Sequence, residues 1–419
     1  CGLKNSYDFA KKVQIIRIPR YNNLTVNNSS SIVPLPWDGT SGGVVALEIE
    51  TALTVNAGGL IHANGLGFRG GQLDPTASKT GTPGNPNDLR FLGSPNSDEG
   101  SEKGEGIFGY HIELDAVFSR WGISGVANGG GGGGFQNAGG GGGSNVSATT
   151  VGFTGNGVPD PTYNVSWALD FSGGPYDMGG MGTTNISGTS TPGGGRGGYA
   201  LAQTDQNELT VGPRNSAWGG DDRKTNGGRG GHPLAYDATR LFFGGGGGAG
   251  DQDGGQGGAG GNGGGIVYIK AYGTITGSGN IEANGGDGQG TNPLNQNPSS
   301  TNPNRRKGND GAGGGGAGGA VFIENSTVIP ATINLNAIGG DGGNQNMRVF
   351  YQSPLFTFAD EAAGPGGSGA GGSIAFTSGT PAQNVSAGSN GIVISQRYNS
   401  STGVIPTPTP MMQNFPPNG

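Results

Sequence analysis

Short runs of alternating apolar residues stand between long glycine-rich stretches. The clearest run is IVYIKA at 266–271, in which both alternating sets of side chains are mostly apolar. A run of this length predicts a β-strand that is buried on both faces. A second short stretch with Ile275 and Ile281 follows after a turn, so the segment predicts a pair of strands bounded by glycine and asparagine turns.

The same pattern occurs four times along the chain. Each copy has a glycine pair, a strand of alternating apolar residues, a turn, a second short strand and then glycine or Ala-x-Gly. The copies lie near 42–71, 264–290, 318–344 and 371–391. Self-similarity of this kind is typical of repeat architectures, and the chain shows no helical period.

Glycine changes how these repeats are interpreted. The chain has 96 glycines and 25 prolines among 419 residues, a composition normally typical of disorder. Only 12% of the residues are charged, whereas disordered chains are usually rich in charge. Glycine runs at 244–265, 311–319 and 364–372 each precede a predicted strand. Since a linker has no need to recur in this position, the recurrence predicts that the runs are structured.

An extended polyproline-II helix has three residues per turn, makes no internal hydrogen bonds and directs its backbone groups outward. Glycine-rich helices of this type can pack side by side and bond to one another. We therefore expect an elongated, helix-poor, all-β or irregular fold in which repeated pairs of short strands pack with polyglycine-II-like segments. Flexible loops between the strands are the alternative.

The domain organisation follows from the same pattern. Residues 1–398 are predicted to form a single glycine-rich domain with long loops at 72–126, 144–243 and 345–363. Residues 399–419 are rich in proline and threonine and are predicted to be a linker or tail.

Six motifs in a fixed order carry a family resemblance. They are NSYDFAKKVQIIRIPRYNNLTV, GFRGG, SEKGEGI, GGGGGGFQNAGGGGGSN, FFGGGGGAGDQDGG and DGAGGGGAGGAV. Together they resemble the glycine-rich module of large bacterial cell-surface adhesin-like proteins, many of them type 9 secretion cargo of gliding bacteria. In composition and run length alone, the glycine runs also resemble the polyglycine-II bundles of phage tail-fibre tip adhesins and of a springtail antifreeze protein.

The resemblance implies a non-catalytic, extracellular structural or adhesive module of a larger surface protein or filament. Its expected partners are other segments of that protein or filament, secretion or outer-membrane components, and a glycan or host surface. It also implies that Cys1 is an interior residue of a longer polypeptide, with a lipid-anchored N-terminus as the alternative. No sorting domain is visible in these 419 residues, which argues against type 9 secretion, and gliding motility in particular does not follow from the resemblance.

Charge and hydropathy exclude two classes of partner. The net charge is −7 and no basic cluster occurs beyond Arg305, Arg306 and Lys307, so we expect no nucleic acid. No stretch of 18 apolar residues is present, so we expect no transmembrane segment.

Catalytic patterns are weak. The three histidines lack the spacing of a metal site, and no Gly-x-Ser-x-Gly elbow lies between a strand and a helix. A secreted polysaccharide-active enzyme on a β-helix-like scaffold is one alternative, but it would need clustered Lys, Arg and Asp where the strands offer mainly Lys270 and Glu282. An ice-binding protein is another, but it would need a ladder of threonines that the strands lack.

Five aspartates in tight glycine turns are candidate calcium ligands. No other cofactor is expected. Oxygen-rich turns suit this hard cation, although aspartate also caps turns through its own backbone. The candidates are Asp251, Asp253, Asp287, Asp310 and Asp341.

Aromatic residues gather in the long loops, which are the usual place for binding on a rigid scaffold. They could stack on sugars or anchor a protein partner, or they could instead form small cores that hold each loop in place. The candidate binding residues are Tyr110, Trp121, Trp167, Tyr176, Arg348 and Tyr351.

Overall fold

The computed structural model describes about half of the chain, in separate stretches. These are 13–73, 100–110, 112–115, 120–123, 125–134, 138–145, 194–195, 197, 227–232, 234, 240–252, 257–291, 310–350, 364–391, 393–398 and 409–410.

Fourteen strands and one four-residue helix occur in these stretches. They are β1 (Arg20–Val26), β2 (Ser31–Ile32), β3 (Val44–Val55), β4 (Leu60–His62), α1 (Ile112–Asp115), β5 (Ile266–Ala271), β6 (Thr274–Gly277), β7 (Asn280–Glu282), β8 (Ala320–Asn325), β9 (Asn334–Asn336), β10 (Gln345–Phe350), β11 (Ser373–Phe376), β12 (Ala382–Asn384), β13 (Val393–Tyr398) and β14 (Thr409–Pro410).

The strands form two main sheets, both entirely parallel. Sheet A has the order β1-β3-β5-β8-β11, with β6 beside the second half of β3; sheet B has the order β12-β9-β7-β4-β2. A third sheet, β10-β13-β14, holds the one antiparallel pair among the described strands, β13 with β14. β14 lies in the stretch for which the sequence predicts a linker or tail.

The predicted fold class is wrong, and the strand pairing shows why. The strands of one repeat do not pair as a unit: β5 lies in sheet A and β7 in sheet B. Each strand pairs instead with its equivalent in the next repeat, as Ile266 does with Ala320. The sequence predicts an elongated all-β fold in which strand pairs pack with polyglycine-II-like segments. The structure instead has two parallel sheets. Such sheets are typical of α/β proteins, but here glycine-rich segments occupy the place of crossover helices.

The hydrophobic core is formed by both sheets. Alternate residues of a strand point to opposite faces, and one face of sheet A contributes register-matched rows to the core. Residues of sheet B join the same cluster. Burying one such side chain contributes about 1.5–3 kcal/mol. The central members are Leu47, Ile269 and Ile323 from sheet A with Ile61, Ile281 and Leu335 from sheet B.

The glycine segment 311–319, which directly precedes β8, shows how the backbone of the glycine-rich segments is satisfied. Its nine N–H groups donate in three directions, and every third residue donates to the same neighbouring segment at 2.6–2.9 Å. Residues 311, 314 and 317 donate to the carbonyls of Asp251, Gly248 and Gly245; residues 312, 315 and 318 to those of Gly364, Gly367 and Ala370; and residues 313, 316 and 319 to those of Gln289, Gly286 and Ala283. Each buried amide therefore has the partner that it needs.

Neighbouring segments approach too closely for most side chains. A Cβ atom at Gly314 would lie 2.1 Å from the carbonyl oxygen of Gly141. Side chains fit only at selected positions, such as the fully buried Ala312 and Ala317. The glycine content thus follows from the spacing of the segments.

Candidate functional site

The outer face of sheet A, which points away from the core, carries a row of four charges. Arg20, Glu48, Lys270 and Glu324 occupy matching register positions on β1, β3, β5 and β8. We call these four residues the charged row. Its charges alternate in sign from one strand to the next.

The charged row is held by two ion pairs. Arg20 Nη2 lies 2.7 Å from Glu48 Oε1, and Lys270 Nζ lies 3.1 Å from Glu324 Oε2. Tyrosine hydroxyls complete each pair: Tyr272 donates to Glu48 Oε1 and Tyr268 to Glu324 Oε2, both at 3.0 Å.

These contacts favour the ionised form of all four groups. The hydrogen bond from Arg20 lowers the pKa of Glu48, and the one from Lys270 lowers the pKa of Glu324. The same bonds raise the pKa values of Arg20 and Lys270. At neutral pH each positive charge of the charged row is therefore offset by the negative charge of its partner.

Two half-buried aromatic rings lie beside the charged row. Tyr268 and Phe322 stack with ring centroids 5.7 Å apart and an interplanar angle of 26°. We call them the aromatic pair. A broad apolar surface flanked by hydroxyl and carboxylate groups can contact the apolar face of a sugar ring and hydrogen-bond to its hydroxyls.

A second polar cluster lies inside the glycine-rich region. Glu105 is only 2% exposed; it accepts from Arg69 Nε at 2.9 Å and from Trp37 Nε1 at 3.1 Å. Arg69 lies 4.4 Å from the ring centroid of Tyr110, whose hydroxyl donates to the carbonyl of Gly70 at 2.9 Å. These contacts join separate parts of the chain, so the cluster acts as an internal clamp.

The structure places the predicted aromatic binding residues in different environments. Tyr110 is buried in the clamp, where burial raises the pKa of its hydroxyl, so a ligand cannot reach its ring. Trp121 is partly exposed, and the guanidinium of Arg120 lies 5.0 Å from its ring centroid. Arg348 lies on β10. Trp167, Tyr176 and Tyr351 lie outside the described residues, as does Cys1.

The predicted calcium ligands do not gather at one point. Asp251 and Asp310 are buried among the glycine segments, whereas Asp287 and Asp341 are exposed and accept backbone N–H groups from the adjacent repeat at 2.8 and 2.6 Å. Asp253 lies outside the described part of the chain. Within that part no group of three or more His, Cys, Asp or Glu could hold a metal ion. Calcium binding therefore stays a prediction.

Sequence reasoning missed the charged row and the aromatic pair. Lys270 and Glu324 are 54 positions apart, as are Tyr268 and Phe322. This constant spacing between the second and third repeats is the signal that could have found them, because it places both pairs side by side on neighbouring strands.

In comparisons with known proteins, no family model, curated protein or solved structure matches the chain. Within the described residues, no helix is both long and apolar enough to cross a membrane.

Proposed function

We propose that the chain is a non-catalytic structural and adhesive module of a larger bacterial surface protein or filament. The motifs that resemble surface adhesin-like proteins support an extracellular location. The outer face of sheet A and the long loops are the surfaces that would contact a glycan, a host surface or a partner protein.

The observation that carries this proposal is the three-directional hydrogen bonding of the glycine segments. A scaffold whose buried amides are bonded to neighbours on several sides resists local opening. Such a scaffold suits a protein that must hold a binding face in place under load.

The electrostatics of the charged row favour this function over the enzyme alternative. Lys270 and Arg20 do lie on adjacent repeats with Glu48 and Glu324, as a polysaccharide-active site would require. However, a glycosidase acid needs a carboxyl whose pKa is raised, whereas ion pairing lowers the pKa of both glutamates. Neither glutamate of the charged row therefore matches the general acid of a glycosidase.

Retention on insoluble polysaccharides tests the proposal. The full chain would be incubated with cellulose, chitin and peptidoglycan, and the bound fraction measured. We expect retention on at least one of them, weakened about tenfold when Phe322→Ala removes one ring of the aromatic pair. Val328→Ala, which shortens an exposed apolar side chain outside the long loops and the strands of sheet A, is the control and should bind normally.

Two results would contradict the proposal. Absence of binding to every polysaccharide and to intact bacterial cells would remove its adhesive part. Release of new sugar ends during incubation would favour the enzyme alternative.

A further inference from the structure

Exposed apolar side chains are concentrated at one end of the two sheets. Thirteen large hydrophobic residues are exposed in the described part of the chain, and seven of them lie between residues 13 and 35. Leu35 and Ile15 are the most open, at 81% and 73% exposure. The others of this group are Val13, Ile16, Ile18, Tyr21 and Val33. We call residues 13–36, which include β1 and β2, the first coil.

The first coil is the outermost layer of both sheets. β1 ends sheet A and β2 ends sheet B, and no described strand pairs with their outer edges. The segment before β1 runs along the same edge, because the Gln14 side chain donates to the carbonyl of Gly42 across 28 positions, the same separation as between Arg20 of β1 and Glu48. The end face is therefore continuous from residue 14 to β2. An apolar end face of this kind is suited to stacking, because a repeat that faces solvent normally carries a polar outer surface.

The opposite end of the sheets has the complementary geometry. Residues 364–391, the last coil, carry β11 at the end of sheet A and β12 at the end of sheet B. Ile374 and Phe376 extend the core rows of sheet A but are only partly buried. Val385, just after β12, is 47% exposed. The last coil thus also presents two parallel edges and incompletely covered apolar residues.

We propose that the first coil binds the last coil of a second copy of this chain, head to tail. The argument rests on continuity with the interfaces between coils inside the chain, which combine parallel pairing in both sheets with apolar rows between them. An occupant of the first coil must offer two parallel strand edges at the spacing of sheets A and B. The last coil of the same chain offers these edges, and both sheets continue with unchanged strand direction.

This contact uses different surfaces on the two copies, so it leaves one end of each copy available. A heterologous contact of this kind produces an open filament unless its rotation closes a ring. The inference deepens and rests on the filament part of the proposed function, but it is independent of ligand binding by the outer face of sheet A.

Sedimentation of the full chain over a range of concentrations tests the proposal, with electron microscopy of the largest species. We expect a series of species that grows beyond the dimer. Leu35→Lys and Val385→Lys each place a charge in one half of the contact, and each should raise the concentration needed for assembly at least tenfold. Thr274→Lys, on the exposed face of a middle repeat, is the control and should assemble normally. Circular dichroism would establish that all variants fold.

A mixing experiment identifies the two halves of the contact. The Leu35→Lys chain keeps an intact last coil, and the Val385→Lys chain keeps an intact first coil. Just above the concentration at which the wild-type chain assembles, each variant alone should stay monomeric, whereas an equimolar mixture should form dimers that grow no further.

Monomers at every concentration, or a wild-type dimer that never grows, would overturn the proposal, as would a mixture that remains monomeric. The adhesive function is tested separately with the Leu35→Lys chain. If this monomeric chain is still retained on polysaccharide, the adhesive function holds even where the assembly proposal fails.

Discussion

At the scale of single residues, backbone spacing decides which positions of the glycine segments tolerate a side chain. Gly314 lies where a Cβ would meet the carbonyl of Gly141 at 2.1 Å. At Gly286 the nearest atom to a Cβ, the carbonyl oxygen of Asn262, is 3.3 Å away. The two glycines belong to neighbouring segments and are both hydrogen-bonded through their amides, so they form a matched pair.

We therefore expect Gly314→Ala to lower the free energy of unfolding by about 1–3 kcal/mol, because overpacking a close contact forces the backbone apart. Gly286→Ala should change it much less, since its neighbour needs to move only slightly. Chemical denaturation of both variants measures the difference. Equal stability of the two would show that the segments are not packed at this spacing.

At the scale of elements, identical strand positions in successive repeats form ladders of side chains. Asn334 donates to Asn280 and Asn336 to Glu282, both at 3.0 Å and across 54 positions. The pair of Lys270 and Glu324 belongs to the same set of ladders. Because exposed ion pairs contribute little to stability, the pKa of Glu324 is a better measure of this pair than the melting temperature.

Lys270→Met should raise the pKa of the Glu324 carboxyl toward its ordinary value, because the bond from Lys270 is the largest cause of its lowering. The pair stabilises the fold above the pKa of glutamate in the unfolded chain, and this contribution is lost as the pH falls through the lower folded-state value. Titration of the carboxyl by NMR measures the shift. Arg20→Met, which removes the other pair of the charged row, should leave Glu324 unchanged; an equal shift in both variants would disprove the specific pairing.

At the scale of the whole molecule, the glycine segments connect the repeats into one hydrogen-bonded unit. The amides of 311–319 donate to three segments of the chain: 245–251 between β4 and β5, 283–289 after β7, and 364–370 between β10 and β11. Opening this region requires breaking contacts with several segments together, so it should open only with large-scale unfolding.

Amide hydrogen exchange tests this expectation. Amides 311–319 should exchange about a thousandfold or more slowly than those of a free chain, given typical global stabilities. The exposed Val328 provides a reference position for faster exchange. Free-chain rates across 311–319 would show that these bonds do not persist in solution.

Local signals in the sequence located several features of this protein. The alternation at 266–271 and its counterparts marked residues that do lie in strands, and the glycine runs marked the segments that precede them. These features depend on short-range patterns: a strand shows its period within six residues, and a glycine run is visible from composition alone.

Only the tertiary structure decided which strands pair and which side chains meet. Val44 pairs with Ile266 across 222 positions, and Ile266 with Ala320 across 54, so no local pattern assigns the strands of one repeat to different sheets. The charged row and the aromatic pair arise from this pairing, and the internal clamp arises from side-chain contacts among distant segments outside the strands. The physical reason is that alternation and composition act within a few residues, whereas sheet register is set by hydrogen bonds between distant segments.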